Sequence, residues 1–387
     1  MASAWEYGEK ENIAMRVKDL KLAFISVLAI VFTVALTFAT LEAPAVLNGF
    51  FANYLGIPDF NPGFQSELIE EFMSSHYLRP IGYGCLGVIF ILIIAGFATK
   101  RIRISALGSL AFFLPTFGYF AAYMFFLSGV GMLRVVWLPI WDPSKSLLKL
   151  GDIVYLPYMV IAYTLTLLFS LFRFELDSPV IHSLQRARMV RYYWDSFHID
   201  ARVPLAYALL GSGILIFLLG TIAWSYAKLQ KKETVDLWLY RYSRHPQYLG
   251  WLIWSYGVML LASFTPIVRG GENPGASLPW LISSLLIICV ALAEEIKMKE
   301  RYGGSYSKYL ETTPFMLPLP STVSSVITLP IRILFKRDRP ENDKEILLTF
   351  LVYAAILVFL SLPFYLLGWP PSLGWTEWPY SMWPFNR

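Results

Sequence analysis

Long uninterrupted apolar runs, rather than alternation, organise this chain. Crossing about 30 Å of hydrocarbon takes about 20 mostly apolar residues in a helix. Runs of that kind cover Leu22–Leu41, Ile81–Ala98, Ile104–Leu133, Ile153–Phe172, Val203–Ala227, Tyr248–Val268, Ala276–Ala293 and Ile346–Trp369. The third is interrupted by Pro115 and several glycines. Strand alternation with a period of two is absent, which argues against an outer-membrane barrel. Each run is therefore predicted to be a helix that satisfies its own backbone in lipid. The expected fold is an all-α polytopic transmembrane bundle of about eight spans.

The polar stretches between the runs differ in character. Residues 42–79 set Glu42, Asp59, Glu67, Glu70 and Glu71 against Arg79. Residues 173–202 form a mixed linker whose segment Leu184–Trp194 reads as a helix lying in the membrane interface. Residues 294–345 are the longest polar region and are rich in lysine and arginine. The tail from Trp369 is dense in Trp, Tyr and Pro, which suits an aromatic belt at a membrane surface. The first 20 or so residues carry acids and bases and lack a small-residue cleavage site, so Leu22–Leu41 is expected to be a retained span.

Composition agrees with the pattern. Apolar residues make up 56% of the chain, aromatic residues 17% and charged residues 15%, with a mean hydropathy of +0.53. Soluble domains run near a quarter charged. Disordered, collagenous, coiled-coil and disulfide-stapled classes are excluded. The net charge of +5 sits in short clusters beside apolar runs, which marks cytoplasmic flanks and not a nucleic-acid surface. Lys228, Lys231, Lys232, Arg241 and Arg244 form one such cluster. Lys297, Lys299, Arg301, Lys308, Arg332, Lys336, Arg337 and Arg339 form another. Both are expected on the cytoplasmic side, as are Lys100, Arg101 and Arg103. Counting one crossing per run then gives conflicting parity, which points to a re-entrant hairpin or two short tilted helices within 104–141.

Several features carry less than they first suggest. Gly82–Gly87 matches G-x-G-x-x-G, but it opens a membrane run and lacks the strand before it and the acid after it that a dinucleotide fold needs. Small residues that let helices approach closely explain it. Cys85 and Cys289 lie in apolar runs and read as packing residues. His76, His182 and His198 read as surface residues, and no metal site is expected. Arg186, Arg188 and Arg191 read as a solvated interfacial face, with anionic lipid headgroups as the alternative.

Two segments concentrate chemistry. Tyr240-Arg241-Tyr242-Ser243-Arg244-His245-Pro246-Gln247-Tyr248-Leu249-Gly250 places cations, a histidine and tyrosines at a helix entrance opened by proline. The orphan N–H groups there favour an anion, although a positive flank with an aromatic belt would look similar. The hairpin of residues 248–293 then returns the chain to Glu294-Glu295, adjacent carboxylates that are costly at a membrane-helix end unless paired or functional. Glu300-Arg301-Tyr302-Gly303-Gly304-Ser305-Tyr306-Ser307-Lys308-Tyr309, Pro314, Leu317 and Pro318 follow. An antiparallel hairpin brings His245 and Glu294 close. Donors on one side and carboxylates on the other would fit a zwitterionic nucleoside.

This spaced combination resembles the isoprenylcysteine carboxyl methyltransferase and phospholipid methyltransferase superfamily, over about residues 203–320. The resemblance implies an integral membrane enzyme using S-adenosylmethionine. It implies cofactor contacts for Tyr240, His245, Pro246, Gln247, Tyr248, Gly250, Glu294 and Glu295, and it makes Arg244 and Arg301 the candidates for holding an anionic headgroup. A structural role for those two arginines, pairing with Glu294, Glu295 or Glu300, is the alternative. Two departures stand out. Val235–Leu239 lacks the glycine that usually precedes the motif, and Val290 stands where the prenylcysteine enzymes place a substrate arginine. A carboxylate substrate would lose its obvious bidentate partner there.

The expected organisation is a membrane region over 1–200, a catalytic helical-hairpin module over 201–320, and an interfacial segment with a last membrane helix over 321–387. Expected partners are the bilayer and a lipophilic or prenylated substrate, not nucleic acid. The alternatives are a membrane reductase using NADPH, whose sterol-reducing members are similar at H-P-x-Y-x-G, and a non-catalytic membrane protein. Against the reductase, Tyr306 stands where a tryptophan would be.

Overall fold

The computed structural model describes residues 19–34, 145–170, 190–193, 196–199, 201–263 except 233, and 277–367, together with the single helical positions 37, 54, 80, 83, 84, 87, 91 and 95. Most of the expected spans Ile81–Ala98 and Ile104–Leu133, the parity question at 104–141, the turn before Ser277 and the aromatic tail lie outside these residues.

Helix α1 covers residues 19–34. A 3₁₀ segment, Lys145–Tyr155, runs directly into α2, Leu156–Ser170. Two strands follow, β1 at Val190–Tyr193 and β2 at Ser196–Ile199. Then come α3 at Arg202–Leu229, a 3₁₀ turn at Trp238–Arg241, α4 at Pro246–Ser263 and α5 at Ser277–Tyr302. The last four helices are α6 at Gly304–Thr312, α7 at Ser321–Ile327, α8 at Leu329–Phe335 and α9 at Asp343–Leu367.

Three helical stretches among the described residues are long and apolar enough to cross a membrane: Leu150–Phe169, Arg202–Leu229 and Asp343–Leu366. Among the described residues, three of the eight expected spans meet this criterion. The linker departs from expectation too. Its 190–193 portion is not an interfacial helix but pairs with 196–199 as an antiparallel hairpin, with Val190 opposite Ile199 and Tyr193 opposite Ser196. Valine, tyrosine, phenylalanine and isoleucine favour a pleated backbone, and the reading of the arginines as a helix face missed this.

Helices α3 and α4 pack closest, and glycines make that possible. A Cβ on Gly250 would lie 2.4 Å from Phe217 N, and one on Gly213 would lie 2.3 Å from Trp254 N. Together with the approach of Gly257 to Leu210, these pairings define an antiparallel crossing. Around it, Tyr158, Met159 and Ala162 of α2, Val203 and Ala206 of α3, and Trp254, Val258, Met259 and Leu260 of α4 form one buried cluster. Leu278, Leu286, Cys289, Leu292 and Ala293 of α5 form a second with Ile346 of α9. Ile25 and Ala29 of α1 rest on Ile222 of α3.

The 3₁₀ segment exceeds the usual three or four residues of its kind. It is tied on several sides. Ser277 Oγ donates to Asp152 Oδ1 at 2.6 Å, Tyr256 Oη to Val154 O at 2.5 Å, and Ile153 N to Ser361 Oγ at 3.2 Å. These bonds hold the start of α5, the middle of α4 and the end of α9 to one piece of backbone.

Helix α9 begins with reciprocal capping. Glu345 N donates to Asn342 Oδ1 at 3.0 Å, and Glu341 N donates to Glu345 Oε2 at 2.8 Å. Arg337 Nη2 also donates to Glu345. Asp343 and Glu345 further complement the positive end of the helix dipole. Asn342→Ala is expected to cost about 1 kcal/mol, the usual value of such a cap. Unfolding in detergent by thermal scan, with Asn342→Asp as the conservative control, measures it.

Candidate functional site

The site forms where α4 begins and α5 ends. Contacts fix their antiparallel register: His245 meets Glu295, Leu249 packs with Ala291, and Trp280 Nε1 donates to Ser255 Oγ at 3.0 Å. Pro246 opens α4, where the missing N–H breaks no helical bond. The 3₁₀ turn Trp238–Arg241 leads into it, and Tyr309 Oη of α6 donates to Tyr240 O at 2.7 Å. Between α5 and α6, Gly303 takes φ of +55°, a conformation that side chains resist, which turns the chain back over the α4 entrance.

The two adjacent carboxylates have different surroundings. Glu295 is 5% exposed and sits in a cationic cluster. Its Oε1 accepts from His245 Nε2 at 3.1 Å and lies 2.8 Å from Arg244 Nε. The Arg244 Nε–H has no hydrogen-bond partner, so that contact is an ion pair without a directed bond. Arg339 Nη1 stands 4.0 Å from Glu295 Oε2. Glu294, one residue earlier, is exposed, and Tyr248 Oη donates to its Oε1 at 2.7 Å.

Arg244 is only 4% exposed and acts as a fastener. Its Nη1 donates to Leu310 O at 2.8 Å, its backbone N donates to Pro314 O at 3.0 Å, and its guanidinium lies over the Phe315 ring at 5.7 Å. Burial pulls its pKa below the usual arginine range, Glu295 opposes that shift, and Arg339 adds to it. The His245 ring stacks on Tyr248 at 5.8 Å and meets Phe315 edge-on at 5.2 Å. Tyr240, Tyr306 and Tyr309 all have raised pKa values, chiefly through burial. Their phenols therefore stay protonated, and that of Tyr309 serves as a donor.

The residues singled out from sequence divide into three groups. Arg244, His245 and Glu295 converge in the buried cluster, with Tyr248 and Glu294 beside it and Tyr240 behind the entrance. Pro246, Gln247 and Gly250 turn toward α3. Gln247 Nε2 donates to Thr221 Oγ1 at 3.2 Å, a Cβ on Gly220 would touch both Gln247 and Pro246, and Gly250 lies at the helix crossing. Arg301 is exposed and rests over the Tyr302 ring at 5.3 Å, away from the cluster contacts. Val290 packs with the α5–α9 core, whereas Ala291 faces Leu249 and Met316. Position 290 is thus on the side of α5 facing away from α4.

Sequence reading missed Arg339, Phe315 and Thr221. Phe315 and Thr221 sit in ordinary apolar contexts. Arg339 belonged to a basic run that read as a positive flank, and nothing local marks it as reaching back to Glu295. The described residues contain no group of histidine, cysteine or carboxylates able to hold a metal ion.

The arrangement offers an exposed carboxylate oriented by a phenol, a buried carboxylate already compensated by cations, and a wall of rings. Residues 212–313, from within α3 to just past the end of α6, match a protein family of unknown function, DUF1295. No curated protein and no solved structure matches the chain.

Proposed function

We propose that this chain is an integral membrane methyltransferase that binds S-adenosylmethionine at the joined ends of α4 and α5. The acceptor would be lipophilic or lipid-borne: an isoprenylcysteine carboxylate, a lipid amine or a small thiol. The module would sit among about eight spans with its basic flanks, and so its site, on the cytoplasmic face. The observation carrying this reading is the contrast between two neighbouring carboxylates. Glu295 is buried and spent on Arg244 and His245, while Glu294 is exposed and held by Tyr248. An exposed, oriented carboxylate at this entrance attracts an ammonium or sulfonium group and repels a dinucleotide pyrophosphate.

When bound, S-adenosylmethionine supplies a methyl group on a cationic sulfur. Glu294 would hold the cofactor's ammonium or its ribose hydroxyls, and Tyr248 would keep that carboxylate in position. Arg244, His245 and Glu295 fasten α4, α5 and the 310–315 segment into one rigid frame, which matters because in-line transfer is mainly a positioning problem. The rings of Phe315 and Tyr248 pack against His245 within that frame.

Binding of S-adenosylmethionine to the purified protein in detergent, by calorimetry and thermal shift, tests this reading. Glu294→Gln is expected to weaken that binding at least about tenfold, the weight of one charge-assisted contact. The fold should persist, because Glu294 is exposed and the amide still accepts from Tyr248. A second reading is an NADPH-dependent reductase, favoured by the H-P-x-Y-x-G segment His245–Gly250. NADPH binding without S-adenosylmethionine binding would establish that reading in place of the first. Absence of both would leave a non-catalytic membrane protein.

A further inference from the structure

The break between α7 and α8 is closed where water would ordinarily serve. A helix end leaves its last carbonyls without intrahelical partners, and here protein groups take them. Thr328 donates to Ser324 O through both its N–H and its Oγ1, each at 2.9 Å. Arg332 Nη2 of α8 donates back to Ser325 O, and Tyr353 Oη of α9 donates to Ile327 O. Thr328 O accepts from Arg332 N at 3.0 Å, so the carbonyl at the break is taken as well. The apolar side chains at the same corner are uncovered: Val326 is 70% exposed, and Ile327 and Leu329 are exposed too. Ile333, further along α8, is 70% exposed, and Ile331 is the residue of α8 that packs inward. Water at this corner would make the capping unnecessary and the apolar exterior unfavourable. Hydrocarbon demands both.

Helix α9 sets the depth of this corner. Its charged first turn holds Glu345, which Arg337 meets just after α8, and apolar sequence starts at Ile346. Tyr353 lies seven residues further on, about 10 Å along the helix. Helix α8 therefore runs antiparallel to the start of α9, from Tyr353 at one end to Glu345 at the other. One leaflet contributes about 15 Å of hydrocarbon, so the corner lies below the charged rim of a candidate span. Arg339 reaches Glu295 just before α9, which makes this the leaflet beside the site. The one charged residue between Ser321 and Phe335 is Arg332. Its Nε lies 3.2 Å from Asp338 Oδ1, in the polar segment that follows α8. A long cationic side chain behaves this way when its stem sits in lipid and its head seeks the surface.

We propose that α7 and α8 form a re-entrant pair that dips into the leaflet beside the site, with the corner at Ile327–Leu329 as its deepest point. The partner of the exposed apolar side chains is the acyl region of the bilayer. The pair begins shortly after Met316, which packs with Leu249 and Ala291 next to the site, and so moors that wall in lipid. The inference goes beyond the cofactor reading and holds for any ligand of the site. It requires α9 to cross the membrane.

The test uses the full chain in phosphatidylcholine nanodiscs. Single nitroxides are placed through Val326→Cys, Ile333→Cys and Lys336→Cys, with Cys85→Ser and the buried Cys289 left in place. Collision rates with molecular oxygen and with a water-soluble nickel chelate are read by spin resonance. The oxygen-to-nickel ratio is expected to be at least about tenfold higher at 326 than at 336, because bringing a polar chelate into hydrocarbon costs well over one such factor. The ratio at 333 should fall between the two. Equal ratios at 326 and 336 would place the segment in water and overturn the proposal. Slow collision with both reagents at 326 would overturn it too, by showing that protein, such as a second copy of the chain, covers the corner. A ratio at 333 equal to or above that at 326 would mean that the pair lies flat in the interface, which also overturns re-entry. The unmodified chain supplies an independent check. Photolysis with a phosphatidylcholine bearing a mid-acyl diazirine should mark residues 326–333 as well as the exposed Phe359 of α9, and a headgroup diazirine should mark neither. Adducts at Phe359 without any at 326–333 would overturn the proposal by themselves.

Discussion

Glu295→Ala is expected to destabilise the protein by about 3–5 kcal/mol, the usual cost of stranding the partner of a buried ion pair. The side chain of Arg244 is 1% exposed, so its guanidinium cannot recover water when Glu295 is removed. His245 loses its hydrogen-bond partner at the same time. Glu295→Gln should cost less, because the amide oxygen still accepts from His245 Nε2. Adding Arg244→Met to Glu295→Ala should recover part of the loss by removing the stranded charge. Full recovery is not expected, since Arg244 also holds Leu310 O. Denaturant unfolding in bicelles measures all three. A loss below about 1 kcal/mol for Glu295→Ala would mean that solvent reaches the pair and screens it.

The same cluster explains why this substitution should reach beyond stability. Arg244 bonds the backbone at both Leu310 and Pro314, so α6 and the segment after it are fastened to the α4 entrance through one residue. Loosening it should also widen the space beside Glu294. On the proposed reading, affinity for S-adenosylmethionine is therefore expected to fall in Glu295→Ala even at temperatures where the variant remains folded.

Gly250→Val should be the second most damaging change, at about 3 kcal/mol, the upper end of ordinary overpacking. The added Cβ alone would lie 2.4 Å from Phe217 N and 2.8 Å from Gly213 O. Both are backbone atoms in the middle of α3, so no flexible side chain can give way. The two helices must separate or slide. Because His245 and Pro246 sit one turn from this crossing, the displacement carries the site entrance with it. Thermal unfolding compared with Gly84→Val, where nothing lies within 4 Å of the added Cβ, isolates the steric effect. Equal losses at the two positions would show that the crossing is not tight.

How much of this was legible in the sequence depended on range. The helices that became α2, α3, α4, α5 and α9 were readable because an apolar run of sufficient length has one way to satisfy its backbone in lipid. The proline start of α4 was equally local. The hairpin register was half readable. Antiparallel helices had to bring the 245 region to the 294 region, but which carboxylate met which partner depended on helix rotation. His245 was expected beside Glu294 and instead meets Glu295, with Tyr248 taking Glu294. The interfacial helix expected across 184–194 gave way to a strand pair at 190–193, because β-branched and aromatic residues found a partner segment that charge spacing does not reveal.

The candidate site residues divide on the same physical ground. Motif spacing alone grouped Tyr240, Arg244, His245, Tyr248, Glu294 and Glu295, because they lie at two ends of one hairpin. Gly250 and Gln247 shared that motif, yet they face α3, since a helix spreads consecutive residues around its whole circumference. Arg339 carried no local signal. It reaches Leu310 O and Glu295 only because the chain after α8 folds back onto the end of α6, across 29 residues from Leu310. The sequence by itself determined that the chain is a helical membrane protein and where its polar chemistry concentrates, because hydropathy and spacing act within single elements. Only the tertiary structure decided which carboxylate is buried among cations and which is exposed, because burial and charge pairing are properties of the assembled helices.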